Sequence, residues 1–288
     1  LELSNFGLNK NEIKGLAKEI TEIYHCAANT DFRIDLKKAR TINVGGVKNL
    51  LKFAGKCKKG IKINCISTAF VAGESQGVFN EHDLNVRQSF NNPYEQSKFE
   101  AELLLRSHRY IRLTTFRPSI IVGEYESGRT TSFKMFYQPL SFFYKEIFDN
   151  VPLDPEAYYN FIPVDVAAKM IVSLANVAKG GETYHIVSKE TIPLGRIMDI
   201  SSNFLSFKKP SYVSLQEFKE IEKSSTKKRM IEPFVPYLNF KCRFGHDETE
   251  KALLKEGFIL PRIDDDFIIR LLRFCLDSGY LKKKSSLA

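Results

Sequence analysis

The sequence has no apolar run long enough to cross a bilayer, and its five cysteines include no C-x-x-C pair. An odd number of cysteines is typical of buried thiols in a reducing compartment, so we expect a cytoplasmic protein. The five histidines are scattered, without the spacing of metal ligands. His25, at the end of a strand-type run, is interpreted as a packing residue and not as a base. We therefore expect neither an integral membrane segment nor a metal site.

The chain also lacks a concentrated basic region, although its net charge is +9. The 43 Lys and Arg residues are dispersed, and the densest clusters, at residues 227–229 and 282–284, have no interleaved aromatic side chains. This pattern is typical of a solvated surface, so we expect no nucleic acid as a partner.

Strand-type and helix-type runs alternate through the first two thirds of the chain. Alternation predicts an α/β fold with a doubly wound parallel sheet, covered by helices on both faces. The 288 residues, 43% of them hydrophobic, suffice for one large unit of this kind with a smaller lobe. The predicted helices lie at 10–18, 35–55, 93–105 and 164–175, and the predicted strands at 22–27, 61–67, 111–117, 158–163 and 182–187.

Three tyrosines are followed four residues later by a lysine: Tyr94/Lys98, Tyr237/Lys241 and Tyr280/Lys284. On a helix, residues at this spacing share one face, so the ammonium would lie beside the phenol and lower its pKa. A phenol with a lowered pKa can serve as a general acid or base near neutral pH. Some such pairs arise by chance, and the surroundings must decide among the three.

The surroundings favour Tyr94 and Lys98. The strand-type run at residues 61–66 ends in Ser67 and Thr68, and the carboxyl end of a strand is where open α/β sheets bind ligands. Pro93 stands where a helix can begin, directly before Tyr94. We predict that Thr68, Tyr94 and Lys98 converge on one crevice as catalytic residues, with Ser67 as the alternative hydroxyl.

Thr68, Tyr94 and Lys98 resemble the Ser/Thr-Tyr-Lys triad of the extended short-chain dehydrogenase/reductases. Residues 24–28 resemble the His-x-Ala-Ala stretch of that superfamily, residues 43–51 its Asn-Val-x-Gly-Thr-x-x-Leu-Leu helix, and residues 117–123 its Arg-Pro segment. Residues 5–8, leading into the His-x-Ala-Ala strand, are similar to the thioester-reductase and fatty-acyl-reductase branch. The resemblance extends from residue 3 to residue 280.

The resemblance implies a Rossmann-type fold and an NAD(P)H-dependent reductase of acyl groups held on coenzyme A or on an acyl carrier protein. Tyr94 would protonate the developing oxyanion, Thr68 would hydrogen-bond the same oxygen, and Lys98 would also bind the nicotinamide ribose. NADPH is the expected cofactor, with NADH as the alternative. A basic surface would suit an acidic carrier or the phosphates of coenzyme A. Four further positions match residues that line the cofactor or support its strand in relatives: Ala27, Ala28, Asn43 and Pro118.

None of the 16 glycines forms a G-x-G-x-x-G or G-x-x-G-x-x-G set. In relatives, that turn gives the cofactor pyrophosphate a helix N-terminus and a close backbone approach. Together with Leu1 in place of an initiator methionine, this predicts a sheet that lacks its first βαβ unit, and weak NADPH binding by the chain as it stands. A chain that works without a dinucleotide is the rival interpretation, and the retained triad argues against it.

We expect residues 1–190 to form the N-terminally truncated cofactor-binding core and residues 191–288 a smaller, mostly helical substrate lobe. Helices are predicted in that lobe at 192–204, 215–222, 247–256 and 264–277, with Asp247 as an N-cap. Residues 224–228 are predicted to be a disordered loop.

Residues 133–148 contain seven aromatic side chains. Such a stripe is usually core, but its place after the Arg117-Pro118 strand also makes it a candidate wall for an apolar acyl chain.

Two other functions stay open. A nucleotide-sugar epimerase or dehydratase has the same triad but would call for more Arg and Asn at residues 124–160. A non-catalytic module would use the basic face to bind an acidic partner.

Overall fold

The structure is a computed structural model that describes residues 3–58 and 60–282. The chain forms two compact units. Unit 1 comprises Leu1–Ser119, Met170–Ile186 and Cys242–Phe258, and unit 2 comprises Ile120–Lys169, Val187–Lys241 and Ile259–Ala288. The units do not divide at residue 190, because the chain leaves and re-enters each of them. The assignment of residues 1–190 to the cofactor and 191–288 to the substrate stays a prediction.

The predicted helices are present, most with boundaries shifted by one or two residues. The exceptions are α4, which is shorter than the aromatic stretch, and α8, which forms where a disordered loop is predicted. In the described part of the chain the helices are α1 (Lys10–Glu19), α2 (Leu36–Ala54), α3 (Pro93–Arg106), α4 (Tyr137–Tyr144), α5 (Val164–Val177), α6 (Leu194–Leu205), α7 (Leu215–Ile221), α8 (Ser225–Ile231), α9 (Asp247–Lys255) and α10 (Asp265–Asp277).

Four strands long enough to build a sheet alternate with α2, α3 and α5, as predicted. The remaining strands are two or three residues long and pair locally. The strands are β1 (Glu22–His25), β2 (Lys62–Ile66), β3 (Val78–Phe79), β4 (Arg112–Pro118), β5 (Ile120–Val122), β6 (Asn150–Val151), β7 (Tyr158–Tyr159), β8 (Phe161–Pro163), β9 (Thr183–Ile186), β10 (Ile192–Pro193), β11 (Ser211–Tyr212) and β12 (Arg243–Phe244).

The main sheet of unit 1 is parallel throughout, in the order β1-β2-β4-β9. One face packs on α2 and α3 through a continuous apolar layer, in which Ile63 of β2 and Leu105 of α3 have no exposed surface. The opposite face is more polar. There the Lys62 ammonium donates to the carbonyl O of Ala175 in α5. Helices therefore contact both faces, and the predicted doubly wound α/β class is confirmed.

Unit 2 contains three short strand pairs: β5 with β8 and β6 with β11, both parallel, and β7 with β10, antiparallel. The single strand predicted at residues 158–163 is divided at Asn160, because β7 and β8 pair with different partners. The aromatic stripe is packed in the interior of this unit. The Phe136 ring lies 5.0 Å from that of Phe161, and the Phe133 ring 4.1 Å from that of Tyr280. Its role as the wall of an acyl site stays a prediction.

Two local predictions are wrong. Residues 224–228 open α8, because Ser224 Oγ accepts a hydrogen bond from Lys227 N at 3.2 Å and the residues that follow are good helix formers. Asp247 is not the N-cap of α9. The carboxylate of Glu81 caps this helix from a distant part of the sequence, by accepting Glu248 N–H at 2.7 Å.

Gly73 ends a 3-10 turn at Ala69–Ala72, which directly follows Thr68. Its φ is +55°, and a Cβ at this position would lie 2.1 Å from the carbonyl O of Ser89. The same oxygen accepts a hydrogen bond from Glu74 N at 2.9 Å. The close approach holds the turn after β2 against the segment that leads into α3, and only glycine fits there.

We expect Gly73→Ala to lower the free energy of unfolding by roughly 2–4 kcal/mol, since it adds overpacking to a left-handed backbone. Gly15→Ala is the matched control. A Cβ at Gly15, inside α1, meets nothing within 4 Å. That variant should gain about 0.5–1 kcal/mol from helix propensity. Urea unfolding measures both, and equal midpoints for Gly73→Ala and the unmodified protein would refute the packing argument.

Candidate active site

The carboxyl ends of β1, β2 and β4 lie at one edge of the main sheet, because these strands are parallel neighbours. Ala27 and Ala28 follow β1, Thr68 follows β2, and Pro118 is the last residue of β4. Ala27 is exposed, whereas Pro118 is buried. Four residues predicted from separate parts of the sequence thus share this edge.

The first turn of α3 brings Tyr94 to the same edge. Pro93 is the first helical residue, and the Asn92 side chain caps the helix by accepting Glu95 N–H at 3.0 Å. The Glu95 carboxylate, which is fully buried, accepts Asn91 N–H at 2.9 Å. These bonds fix the start of the helix, and Tyr94 is one residue inside it.

The last residue of β2 and the two residues that follow it contact α3. The carbonyl O of Ile66 accepts a hydrogen bond from Lys98 Nζ at 2.8 Å. Ser67 Oγ donates to Glu102 Oε2 at 2.9 Å. The Thr68 side chain lies beside the phenol of Tyr94, where hydrogen bonding by Thr68 lowers the pKa of Tyr94, and its Oγ1 accepts Phe70 N–H at 3.2 Å. The structure therefore brings Thr68, Tyr94 and Lys98 together as predicted, and it is Thr68 and not Ser67 that contacts the phenol.

The electrostatics of Tyr94 differ from the prediction. Burial raises the pKa of Tyr94 to about 12, the hydrogen bond from Thr68 opposes this rise, and the charge of Glu95 adds to it. Lys98 donates to a backbone carbonyl instead of the phenol. The prediction that Lys98 lowers the pKa of Tyr94 is therefore wrong for this structure. Tyr94 keeps its proton at neutral pH, which is the form that a proton donor needs.

His25 ends β1 next to the site and is only 6% exposed. Burial and, to a smaller extent, the positive charge of Lys98 lower the pKa of His25 to about 4. Its ring is therefore neutral at pH 7. This agrees with its interpretation as a packing residue.

Asn43 supports the segment that follows β1. Its Oδ1 accepts Asn29 N–H at 2.8 Å, and its Nδ2 donates to the carbonyl O of Asn29 at 3.1 Å. Nδ2 also donates to Ser97 Oγ at 2.9 Å, and Ser97 Oγ donates to the carbonyl O of Tyr94 at 3.0 Å. Asn43 thus connects the segment containing Ala28 to the first turn of α3.

The partners Glu102 and Arg117 are not predicted from the sequence. Arg117 has no exposed surface, and its Nη2 donates to Glu102 Oε1 at 2.7 Å. The spacing gives a partial signal, because Glu102 stands four residues after Lys98 and so shares its face of the helix. A cation can stabilise a buried carboxylate, and Arg117 is the charged residue next to Pro118 on β4.

The other two Tyr/Lys pairs have different surroundings. Tyr237 is buried in unit 2, and the Lys241 ammonium lies 2.6 Å from Asp154 Oδ2. The Tyr280 hydroxyl donates to the carbonyl O of Tyr137 at 3.1 Å. Lys284 lies outside the described residues. Both tyrosines belong to unit 2, whereas the main sheet belongs to unit 1.

The chain matches the NAD-binding family model described as "Male sterility protein" over residues 1–171. It belongs to this family. The resemblance to the fatty-acyl-reductase branch is thereby confirmed.

Two proteins of Arabidopsis thaliana that are named as fatty acyl-CoA reductases are similar to this chain in sequence. Fatty acyl-CoA reductase 2, chloroplastic, is 43% identical over 74 residues, which is 26% of this chain and 12% of that protein. "Probable fatty acyl-CoA reductase 4" is 21% identical over 266 residues, which is 72% of this chain and 54% of that protein. The chain therefore spans about half the length of the second relative.

Two solved structures share the fold. The terminal R domain from the myxalamid PKS-NRPS biosynthetic pathway has a TM-score of 0.83 at 23% identity, over 99% of this chain and 75% of its own. UDP-glucuronic acid 4-epimerase from Bacillus cereus, in complex with NAD, has a TM-score of 0.69 at 17% identity, over 100% of this chain and 81% of its own. Both similarities show that this chain has a Rossmann-type fold.

The groups at the edge suit a nicotinamide nucleotide, which the family model implies. Lys98 offers ammonium donors, Thr68 and Tyr94 offer hydroxyl groups, and the ribose of such a nucleotide presents hydroxyls that pair with both kinds. Ala27 adds only a methyl group at the end of β1. Within residues 3–58 and 60–282, three or more His, Cys, Asp or Glu side chains nowhere cluster as metal ligands would.

No helix among the described residues combines the length and the apolar composition that crossing a membrane requires. The cytoplasmic location stays a prediction.

We predict that protonation of His25 destabilises the fold. Between pH 6.5 and about 4 the unfolded chain binds a proton at His25 that the folded protein does not bind, so stability falls as the pH falls through this window. Between pH 7 and pH 5 this amounts to roughly 2 kcal/mol. His25→Gln should lose that part of the pH dependence in urea unfolding. His82→Gln is the control, since its side chain is 83% exposed. An unchanged slope in His25→Gln would contradict the assignment.

Proposed function

We propose that the protein is an NADPH-dependent reductase of acyl thioesters, with NADH as the alternative cofactor. The observation that carries the proposal is the hydroxyl pair of Thr68 and Tyr94, with Lys98 one helical turn further along α3. The pair lies at the edge of the sheet where α/β proteins of this class bind nucleotides. The names of the relatives support the acyl thioester as substrate.

Residues of this chain would donate a proton and a hydrogen bond to the carbonyl oxygen of the substrate. The nicotinamide, when bound, supplies a hydride to the carbonyl carbon of the thioester. Tyr94, which holds its proton at neutral pH, then donates that proton to the developing oxyanion. The Thr68 hydroxyl donates a hydrogen bond to the same oxygen. A preorganised donor of this kind is worth about 2–4 kcal/mol of barrier in a dry site.

Lys98 has a further role in the proposal. Its Nζ donates to the carbonyl O of Ile66 at 2.8 Å, which fixes the ammonium at the carboxyl end of β2. An ammonium carries three donors, so one can bind Ile66 while others bind the ribose of the cofactor. The positive charge also favours any anionic state of the neighbouring site.

Coenzyme A and an acyl carrier protein are both proposed carriers of the acyl group. The relatives from Arabidopsis thaliana are named for acyl-CoA, and the solved R domain comes from a carrier-based pathway. The excess of nine positive charges would favour approach of either anionic carrier.

A nucleotide-sugar epimerase is the second candidate function, because the Bacillus cereus epimerase shares the fold over the full length of this chain. The aromatic interior around α4 favours the acyl reductase instead. A site for a sugar diphosphate would call for more Arg and Asn side chains in that region.

We expect the protein, in the full length that its gene encodes, to oxidise NADPH when supplied with acyl-CoA. The value of kcat/KM should rise about fourfold per added methylene, since burial of a CH₂ is worth about 0.8 kcal/mol, until the acyl site is filled. Absorbance of NADPH follows the reaction. Turnover of a UDP-sugar without net cofactor consumption, with no response to any acyl thioester, would replace the proposal with the epimerase.

Tyr94→Phe is the diagnostic variant in this assay, and Tyr237→Phe is its matched control. Tyr94→Phe removes the proton donor and keeps the ring, so the rate should fall by about 10²–10⁴-fold while the fold persists. Tyr237→Phe removes a buried hydroxyl of unit 2 and should leave the rate close to that of the unmodified protein. The reverse order of effects would show that the wrong Tyr/Lys pair has been chosen.

A further inference from the structure

A buried ion pair lies directly behind the candidate active site. Glu102 on α3 is 1% exposed and Arg117 on β4 has no exposed surface. Arg117 Nη2 donates to Glu102 Oε1 at 2.7 Å and Arg117 Nε donates to Oε2 at 3.2 Å, so the guanidinium binds both oxygens. Arg106 Nη2 donates to Oε1 at 2.8 Å as well. The carboxylate is therefore held in one orientation from two sides.

The second oxygen of Glu102 connects the ion pair to the site. Ser67 Oγ donates to Oε2 at 2.9 Å, and Ser67 N donates to the carbonyl O of Phe116 at 2.7 Å. Ser67 is thus fixed by its side chain to α3 and by its backbone to β4. The next residue in the chain is Thr68, whose hydroxyl contacts Tyr94. Because Ser67 directly precedes Thr68 in the chain, a displacement of the Ser67 backbone would also displace Thr68 relative to the phenol.

The spacing of residues along α3 also connects Glu102 to the candidate active site. Tyr94, Lys98 and Glu102 are four residues apart and lie on one face of the helix, where they contact Thr68, Ile66 and Ser67. A shift of α3 along β2 would break all three contacts together. Of these three residues, Glu102 is the one that the guanidinium of Arg117 binds through both carboxylate oxygens. Such a bidentate pair restricts the position of a side chain more strongly than a single hydrogen bond.

The charge of Glu102 is retained in this environment. Burial raises the pKa of Glu102, but Arg117, Arg106 and the Ser67 hydroxyl outweigh burial and hold the pKa below its usual value. The carboxylate is therefore an acceptor for Ser67 at every pH at which the reductase is expected to work. A protonated carboxyl would instead compete for the serine oxygen as a donor.

We propose that Glu102 is a positioning residue for the proposed reductase: held by Arg117, it fixes Ser67 and so places the Thr68 hydroxyl against Tyr94. The inference rests on the proposed function for its kinetic consequence, but the placement itself is a property of the chain alone. Glu102 does not touch the reacting atoms in this account. It acts through Ser67 and Thr68.

Ser67→Ala is the test variant, because it breaks the link between Glu102 and the site while Arg117 and Glu102 stay paired. Thr249→Val is the matched control. Thr249 is 1% exposed, and its hydroxyl donates to another buried carboxylate of unit 1, that of Glu81. Each variant therefore removes one hydroxyl that donates a hydrogen bond to a buried carboxylate. Of the two substituted residues, only Ser67 is next to a residue of the triad.

The primary readout is the ¹³Cζ resonance of Tyr94 in protein labelled at tyrosine, assigned by its loss in Tyr94→Phe. It requires neither cofactor nor substrate, so it decides the inference even if the protein reduces no thioester. Thr68→Val removes the contact directly and calibrates the change. We expect Ser67→Ala to move the resonance in the same direction as Thr68→Val, and Thr249→Val to leave it in place.

The kinetic readout separates positioning from general destabilisation. If the protein is a reductase, Ser67→Ala should lower kcat about tenfold with KM unchanged, which is less than the roughly 10²-fold cost of a 1 Å misplacement. Thr249→Val should leave kcat unchanged. An unmoved Tyr94 resonance in Ser67→Ala, or an equal movement in Thr249→Val, would overturn the inference and leave Glu102 and Arg117 as an ordinary core ion pair.

Discussion

The docking of α3 against the end of β2 is the contact on which the site depends. Lys98, Glu102 and Tyr94 bind Ile66, Ser67 and Thr68, one residue each, along a single face of the helix. One of these three residues, Glu102, has a buried carboxylate, and its burial would destabilise the fold without Arg117 and Arg106. The bonds from Arg117 and Arg106 compensate the buried charge of Glu102. Through Ser67, Glu102 also holds α3 against the end of β2, and so fixes the hydroxyls of Thr68 and Tyr94 relative to each other.

This arrangement explains why the phenol of Tyr94 is protonated at neutral pH. Burial raises the pKa of Tyr94 to about 12, and the nearby ammonium of Lys98 is occupied with a backbone carbonyl. The phenol therefore keeps its proton well above neutral pH. His25, adjacent at the end of β1, is neutral for a related reason, since burial and the charge of Lys98 both lower its pKa.

Much of this could be predicted from the sequence, because it depends on local patterns. The strand–helix alternation, Pro93 at the start of α3 and the hydroxyls after β2 follow from periodicity and turn chemistry. Other features depend on contacts between distant residues. The cap of α9 comes from Glu81, the partner of Glu102 comes from β4, and the division of residues 158–163 at Asn160 depends on two different strand partners. Local sequence does not show which distant residue makes each of these contacts. The direction of the Tyr94 pKa was missed for the same reason, since spacing along α3 does not show that Lys98 binds Ile66.

A double-mutant cycle on Thr68 and Tyr94 tests most directly whether the docked helix makes them one functional unit. The cycle compares kcat for Thr68→Val, Tyr94→Phe and the double variant in the acyl-CoA reductase assay. If both hydroxyls act on the same substrate oxygen, the double variant should be within about twofold of the slower single variant, because groups that act as a unit are not additive. A double variant slowed by the product of the two single effects would show that the two hydroxyls act independently, and would contradict the account.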